Sequence, residues 1–284
     1  MLTAPFLHEF SEVGPEGESM THAAPPTSPT VSMLSTNPSL GASGGPALLR
    51  CRPGLGNRNA FSVAAIVIVV AFGLLVAKTG PMTRLDLAGV QALNTLHIGF
   101  VGAVGSGVYA AFSPIEAVSI TVVIVGVIAL ATRDLRLAGT FALTVAVTWI
   151  SSDVVKLIVQ RPRPDAWAFA NHLGVAEVDP SYPSGHMAFI ATLALTFYLL
   201  AAGKSYRPAV AAVGMVAVAV VALSLVSDGV HYPSDVIASI AWSLAVAPGV
   251  VAASNRFLLP LTYRSATRRA AHPTDRTAAH RENA

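Results

Sequence analysis

Histidines and fixed cations occur together in three short stretches of the chain. The first, KLIVQRPRP, contains Lys156 and Arg163. The second, PSGH, ends at His186, and the third, GVHYPSD, contains His231 and Asp235. Cations can hold the anionic oxygens of a phosphate, one histidine can attack phosphorus, and a second can protonate the departing oxygen. These residue types therefore predict chemistry on a bound phosphate.

The first stretch offers cations on a stiff loop. Lys156 lies at the end of an apolar segment, and Arg161 and Arg163 follow it beside two prolines. Cations at the end of a membrane helix are commonly anchors at the lipid surface, and for Lys156 alone this interpretation is the usual one. The prolines favour a guanidinium of Arg163 held in one pose, which suits phosphate oxygens. For Arg161 the two interpretations are equally open.

The second stretch predicts the start of a helix. Ser184 can cap the helix after Pro183, with Gly185 and His186 in the first turn. Such a start directs free N–H groups and the positive end of the helix toward an anion. The glycine removes any side chain that would block a close approach. An ordinary helix cap is the alternative interpretation.

The third stretch places a carboxylate four residues after a histidine. His231 precedes a helix whose predicted start is Pro233, and Asp235 lies in its first turn. The carboxylate can accept a hydrogen bond from one ring nitrogen and leave the other free and basic, as in catalytic triads. A simple surface pair is the alternative.

In this order the three stretches resemble the motifs of the type 2 phosphatidic acid phosphatase superfamily, the lipid phosphate phosphatases that share a helical core with vanadium haloperoxidases. Lys156 to Pro164 matches the first motif, which is Lys, six residues and Arg-Pro. Pro183 to His186 matches the second, Pro-Ser-Gly-His. The third motif is Ser-Arg, five residues, His, three residues and Asp, and Ser224 to Asp235 matches it with Leu225 in place of the arginine. The resemblance extends from about Phe61 to Ala253.

The resemblance implies a role for each matching residue. His231 attacks phosphorus and forms a phosphohistidine that water hydrolyses, while His186 is the general acid and Asp235 orients His231. The predicted phosphate-binding residues are Lys156, Arg163, Ser184, Gly185 and, from the neighbouring loop, Arg161. Because the side chain of Leu225 has no hydrogen-bond donor, we expect Arg161 to compensate for the missing arginine. The implied chemistry needs neither a metal ion nor a cofactor, whereas two-metal phosphatases gather several carboxylates around the phosphate.

Composition and apolar runs predict the fold. Of the 284 residues 53% are hydrophobic and only 12% are charged, which excludes an ordinary soluble domain. Apolar runs long enough to cross about 30 Å of hydrocarbon recur six times. We place them at Phe61–Ala77, Pro114–Ala131, Leu137–Val159, Pro183–Ala202, Pro208–Val226 and Pro233–Ala252. The predicted fold is an all-α integral membrane protein, a lipid phosphate phosphatase-like bundle of six transmembrane helices. The short, glycine-rich stretch Ile98–Phe112 is expected to be interfacial or re-entrant.

The chain divides into three predicted regions. Residues 1–60, rich in Pro, Ser, Thr and Gly, are expected to be a disordered cytoplasmic segment. Residues 61–253 form the six-helix domain, and residues 254–284 form a basic, mostly disordered cytoplasmic tail. Cys51 is the only cysteine, which excludes a disulfide within the chain.

The placement of Lys and Arg predicts the orientation. With the N-terminus inside, 13 of the 18 basic residues lie on cytoplasmic segments and five on the opposite face. Both termini are then cytoplasmic, and the three motifs share the extracytoplasmic face of a bacterial plasma membrane. The net charge of +3 reflects this topology, and no nucleic acid partner is expected.

Three further polar residues stand near the motifs. Asp153 can share a helix face with Lys156 and is expected to position it. His97 is expected to be solvated. Asp228, in the loop before His231, has no predicted role.

The predicted function is hydrolysis of a lipid phosphate or polyprenyl pyrophosphate drawn from membrane lipid. Polyprenyl pyrophosphate, phosphatidate and phosphatidylglycerol phosphate are all candidates, because one fold can serve each of them. A phosphotransferase would use the same residues. A non-catalytic lipid-phosphate binder or transporter is a further alternative that Leu225 leaves open, although both histidines and Asp235 argue against it.

Overall fold

A computed structural model describes residues 57–171 and 177–270. The predicted N-terminal segment up to residue 56, with Cys51, and the end of the predicted tail from residue 271 lie outside the described residues. The described chain forms eight α-helices and a short 3-10 helix at Ala166–Ala168. The α-helices are α1 Asn57–Lys78, α2 Gly80–Asn94, α3 Gly99–Ala111, α4 Pro114–Thr132, α5 Leu135–Val159, α6 Gly185–Leu200, α7 Arg207–Ser227 and α8 Pro233–Ala270.

The predicted all-α membrane fold is confirmed. Within the described residues, five helices are long and apolar enough to cross a membrane, namely α1, α4, α5, α7 and α8, the last over Pro233–Phe257. The sixth predicted span is α6, which has 16 residues and is therefore about 24 Å long. It packs against α5, α7 and α8, so protein rather than hydrocarbon surrounds most of it.

Large apolar side chains on the outer helices face away from the protein. Ile68 on α1 is 65% exposed and Met215 on α7 is 66% exposed, and α4 carries exposed valines. Such surfaces are unfavourable in water and favourable against lipid chains. The pattern agrees with a helical bundle that lies in a membrane.

Two shorter helices lie between the first two spans. The stretch predicted to be interfacial or re-entrant is α3, which has 13 residues and is too short to cross a bilayer. The preceding α2 was not predicted, although Pro81 near its start is a helix-initiation signal. Its buried residues Asp86, Val90 and Asn94 recur every fourth position, and α2 packs against α7 and α8.

The ends of four helices bring the three motifs together. Gln160, in the left-handed conformation with φ 52°, ends α5 just after Lys156. Residues 160–184 lead from there to the start of α6, and residues 228–232 connect α7 to α8. Hydrogen bonds from Arg161 and Arg163 to residues 230–235 join these two loops at the same end of the bundle.

Candidate active site

The guanidinium of Arg163 connects the loops that carry the motifs. Its Nη1 donates to the carbonyl oxygen of Val230 at 2.9 Å and lies 3.0 Å from Nε2 of His231. Its Nε donates to the carbonyl oxygen of Asp179 at 3.0 Å, and its Nη2 pairs with Oδ1 of Asp179 at 2.6 Å. One side chain thus joins the loop after α5, the segment before α6 and the loop before α8.

The contact with Arg163 determines the tautomer of His231. A guanidinium can only donate, so Nε2 of His231 accepts and the ring proton is on Nδ1. That Nδ1 lies 3.5 Å from Oδ2 of Asp235. Complete burial, together with the positive charges of Arg163 and Lys156, holds the pKa of His231 well below its ordinary value. His231 is therefore a neutral imidazole whose basic nitrogen points toward the cations.

A buried ionic network lies behind Asp235. Oδ1 of Asp235 accepts from Nη1 of Arg161 at 2.6 Å, and Oδ2 accepts from the backbone N–H of Tyr232 at 2.9 Å. Arg161 also donates to Oδ2 of Asp86 at 2.6 Å and to Oγ of Ser234 at 2.7 Å. Its guanidinium lies 4.0 Å from the centre of the Tyr232 ring. Asp235 is thus held in place beside His231 by Arg161 and by the backbone of Tyr232.

Arg161 does not occupy the place that the sequence predicted. Its side chain is only 2% exposed and its terminal nitrogens donate to carboxylates and a hydroxyl, so phosphate binding in place of the missing arginine is not supported. Leu225 does not take part through its side chain, which is completely buried in the apolar core. Its carbonyl oxygen instead accepts from the N–H groups of Val230 and His231, both at 3.3 Å.

Sequence reasoning missed Asp86 in this network. It lies on α2, outside all three motifs, and accepts from the N–H of Ser234 at 3.2 Å as well as from Arg161. One sequence feature could have indicated it. Asp86 lies four positions before Val90, on the same helix face, and this spacing indicates a buried acid. Only the packing of α2 against α8 identifies its partner.

Asp179 was also not predicted, and it pairs with both cations of the first motif. Oδ2 of Asp179 accepts from Nζ of Lys156, and Oδ1 accepts from Arg163. Burial alone would raise the pKa of Asp179, but the hydrogen bond from Lys156 and the charge of Arg163 lower it to about 2. Asp179 is therefore a carboxylate at neutral pH. Lys156 pairs with this residue rather than with Asp153, the partner expected from the sequence.

The start of α6 has the geometry expected of a helix cap. Oγ of Ser184 accepts from the N–H of Met187 at 3.3 Å. A Cβ added to Gly185 would lie 3.9 Å from Nζ of Lys156 and 3.5 Å from Nε1 of Trp149, so the helix start closely approaches the lysine. The capping interpretation and the anion-binding interpretation are both compatible with this arrangement.

His186 lies in the first turn of α6 beside Tyr109. The two rings stack with centroids 4.6 Å apart and an interplanar angle of 18°. The hydroxyl of Tyr109 donates to Glu177. Nε2 of His186 is buried and has no hydrogen-bond partner in the part of the chain that the structure describes. This nitrogen belongs to a residue that lines the cavity described next.

A cavity of about 770 Å³ ends at these polar groups. Its polar end contains Lys156, Arg163, Asp179 and His186. Most of the remaining wall is apolar and belongs to α4 and α5, including Val118, Val122, Val145, Ala146 and Ile150. His231 contacts Arg163 but is itself 0% exposed. The structure thus brings the predicted residues together, with Arg161 bound to Asp235 rather than lining the cavity, and their roles remain predictions.

A second buried pair lies close to the loop of His231. His97, which was expected to be solvated, lies with its Nδ1 2.7 Å from Oδ1 of Asp228. Gly105 packs against this carboxylate, because a Cβ there would lie 2.9 Å from the same oxygen. Burial raises the pKa of Asp228 to about 7 and lowers that of His97. Asp228 therefore has a structural partner that the sequence did not indicate.

We expect Asp228→Asn to increase stability at neutral pH. In an unfolded chain an aspartate has a pKa of about 3.9, so the folded protein binds more protons between pH 4 and pH 7. The stability of the wild type consequently falls as pH rises through this interval. We measure the difference in thermal midpoint between the variant and wild type in detergent. This difference should increase by a few degrees from pH 4 to pH 7 and stay constant above pH 7. A difference that does not change with pH would contradict this assignment.

The structure is an all-helical bundle with membrane-spanning segments. A cationic cavity that contains a histidine lies at one end of it. These features define an integral membrane protein with a cationic cavity. Residues 135–258 match the model of the PAP2 superfamily. The family predicted from the motifs is thereby confirmed by a match over the part of the chain that carries all three motifs. The match begins with α5, so Asp86 and Tyr109 lie outside it.

One solved structure provides a comparison for the whole bundle. The crystal structure of the first transmembrane PAP2 type phosphatidylglycerolphosphate phosphatase from Bacillus subtilis is similar, with a TM-score of 0.60 and 19% sequence identity. The similarity covers 69% of this chain and 96% of that chain. At this identity the likeness shows the fold. Among curated proteins no match was found.

Proposed function

We propose that the protein is a membrane phosphatase that hydrolyses a lipid phosphate or polyprenyl pyrophosphate through a phosphohistidine. The observation that carries this proposal is the cavity, whose apolar wall on α4 and α5 leads to Lys156, Arg163 and His186. An apolar wall suits a lipid chain, and cations with a histidine suit its phosphate. Membership of the PAP2 superfamily supports the same class of enzyme.

The phosphate would bind between the two cations and the start of α6. Lys156 offers a compact charge, and Arg163 offers a planar set of donors. Ser184 and Gly185 begin α6, whose first N–H groups and positive helix end favour an anion. These groups would also stabilise the charge that accumulates on the phosphoryl oxygens during transfer.

Two histidines would then carry out the transfer in two steps. Nε2 of His231 attacks phosphorus, and the bond from phosphorus to the leaving oxygen breaks while His186 donates a proton to that oxygen. Asp235 stabilises the charge that develops on the His231 ring. In the second step water attacks phosphorus, gives a proton to His186, and breaks the bond to nitrogen. The protonated leaving group departs as the lipid alcohol, or as the polyprenyl monophosphate from a pyrophosphate, and the second step gives inorganic phosphate and restores both histidines.

The orientation is part of the proposal. The distribution of Lys and Arg favours cytoplasmic termini, and the helix ends that carry the motifs then lie on the extracytoplasmic side. The substrate would enter from the outer leaflet, between α4 and α5.

The test is phosphate release from a panel of lipids by purified protein in detergent. The panel contains phosphatidate, phosphatidylglycerol phosphate and polyprenyl pyrophosphate, with a phosphodiester lipid as the negative control. Analysis of the lipid product separates hydrolysis from phosphotransfer, because a transferase would pass the phosphoryl group to an added alcohol. Absence of release from every member would overturn the proposal.

We expect turnover to continue in EDTA and to be inhibited by vanadate. Lys156 and Arg163 supply the positive charge that a metal ion would otherwise provide, and five-coordinate vanadate resembles the transition state of phosphoryl transfer. Within residues 57–171 and 177–270, no three His, Cys, Asp or Glu side chains are grouped to hold a metal ion. The measurement is the initial rate with and without EDTA, beside a magnesium-dependent phosphatase as control. Loss of the rate in EDTA and its recovery with magnesium would contradict the prediction.

A further inference from the structure

Asp179 holds the two cations that the proposed function assigns to the phosphate. One carboxylate oxygen accepts from Lys156, and the other pairs with Arg163 at 2.6 Å. A carboxylate that bridges two cations offers them the same charge-assisted hydrogen bonds as two oxygens of a phosphate. A phosphate that takes the same donors of both cations therefore replaces Asp179.

The position of His231 provides a second observation. Its side chain is 0% exposed, and its Nε2 accepts from Arg163. Phosphorus can approach Nε2 only if Arg163 changes its present contacts. Two of the present contacts of Arg163 are with Asp179, one with its carboxylate and one with its carbonyl oxygen.

The surroundings of Asp179 allow such a replacement. Its side chain is 42% exposed, unlike Asp235 and Asp86 in the network around Arg161, which are buried. A carboxylate that water already reaches is exchanged for another anion at a lower cost than one in a fully buried pair. Buried pairs such as that of Asp235 with Arg161 are costly to break. Among the acids near the site, Asp179 is thus suited to release its cations.

We infer that Asp179 is an internal anion that competes with the phosphate of the substrate and of the product for Lys156 and Arg163. This inference rests on the proposed function. The inference extends the proposed function by identifying a residue that determines the affinity of the site for phosphate. Every ligand that needs both cations is weakened by the same factor, because only molecules in which Asp179 has released them are competent to bind. Competition also assists release of phosphate, since the carboxylate can take back the cations as the product leaves.

The apolar wall of the cavity explains why competition for the cations matters in a membrane. Val118 and Val122 on α4 line it, and both are more than half exposed. Lipid headgroups that contain phosphate are abundant beside such a surface. Two permanently available cations would bind them, whereas an internal competitor lowers this occupancy by the same factor as the affinity for substrate.

The experiment compares Asp179→Asn with wild type, using inorganic phosphate as the ligand. The dissociation constant is measured by calorimetry, and KM, kcat and the inhibition constant of phosphate are measured with a lipid phosphate. We expect Asp179→Asn to bind phosphate about 5- to 10-fold more tightly, with a similar decrease in KM and no increase in kcat. Asp179→Glu should restore weaker binding, because it retains the carboxylate.

Glu177→Gln is the matched control. It removes one negative charge from the same cavity, but Glu177 bonds to Tyr109 rather than to the cations. Its phosphate affinity should stay within about twofold of wild type. Weaker or unchanged phosphate binding by Asp179→Asn would overturn the inference, because a residue that merely positions the cations would behave in that way.

The binding measurement separates this inference from the proposed function. If the wild type hydrolyses lipid phosphate but Asp179→Asn does not bind phosphate more tightly, only the inference fails. If the wild type binds phosphate, the variant binds it more tightly and no lipid phosphate is hydrolysed, the proposed function fails and the competition stands. If neither protein binds phosphate, the inference fails, and the release of phosphate from lipid decides the proposed function separately.

Discussion

Replacement of His231 by alanine is expected to abolish turnover while leaving the protein folded. The expected loss is roughly 10³- to 10⁶-fold in kcat, because the attacking nitrogen is removed and water must react with the substrate directly. The fold should persist because Asp235 keeps its bonds to Arg161 and to the backbone of Tyr232. His231→Gln serves as a second variant that fills more of the buried space and retains hydrogen-bonding groups.

The measurement combines steady-state rates with capture of the intermediate. Wild type quenched in alkali after mixing with labelled substrate should carry an acid-labile phosphoryl group, and His231→Ala should carry none. His186→Ala provides the comparison, since it should lose less activity toward an aryl phosphate, whose leaving group needs little protonation. A folded His231→Ala protein with more than a few per cent of wild-type activity would disprove the assignment of the nucleophile.

Replacement of Arg161 by alanine is expected to be nearly as harmful, for a reason that differs from phosphate binding. Arg161 is the common partner of Asp86 and Asp235. Its removal leaves two carboxylates without their cation, and breaking a buried pair in this way costs about 3–5 kcal/mol of stability. Arg161→Ala should therefore yield little folded protein.

Arg161→Lys tests the positioning role in a protein that can fold. Lysine retains the charge but cannot supply the planar pair of donors that contacts both acids. We expect kcat to fall roughly 10- to 100-fold, about 1.4–2.7 kcal/mol, with KM and vanadate affinity nearly unchanged. The control is Arg84→Lys, since Arg84 is exposed on the same helix as Asp86. A change that appears mainly in KM or vanadate affinity would instead favour direct contact of Arg161 with phosphate.

A double-mutant cycle with Asp86 distinguishes the network from general destabilisation. Arg161→Gln combined with Asp86→Asn leaves fewer uncompensated charges than Arg161→Gln alone. The double variant should therefore lose less stability than the sum of the two single changes. Additive losses would show that the two side chains act independently.

The local features of the chain were predictable from its sequence. Long apolar runs indicate membrane helices because every backbone group in hydrocarbon must be bonded within its own segment. Five of the six predicted spans are helices of spanning length, and the sixth is α6. Ser184 was predicted as a cap from its position beside Pro183 and Gly185, and it accepts the expected bond from Met187. The predicted helix start at Pro233, between His231 and Asp235, is likewise the start of α8.

The partners of the charged residues were decided by the tertiary structure. Arg161 and Asp86 are 75 positions apart, and Asp86 lies on α2, which no motif marks. Asp179 joins Lys156 across 23 positions in a loop without a periodic pattern. Leu225 stands where the family has an arginine, yet its role depends on the apolar core around it. A cation and an acid can pair wherever packing brings them together, so residue types and spacing predict the chemistry, whereas only the packed helices determine which acid each cation holds.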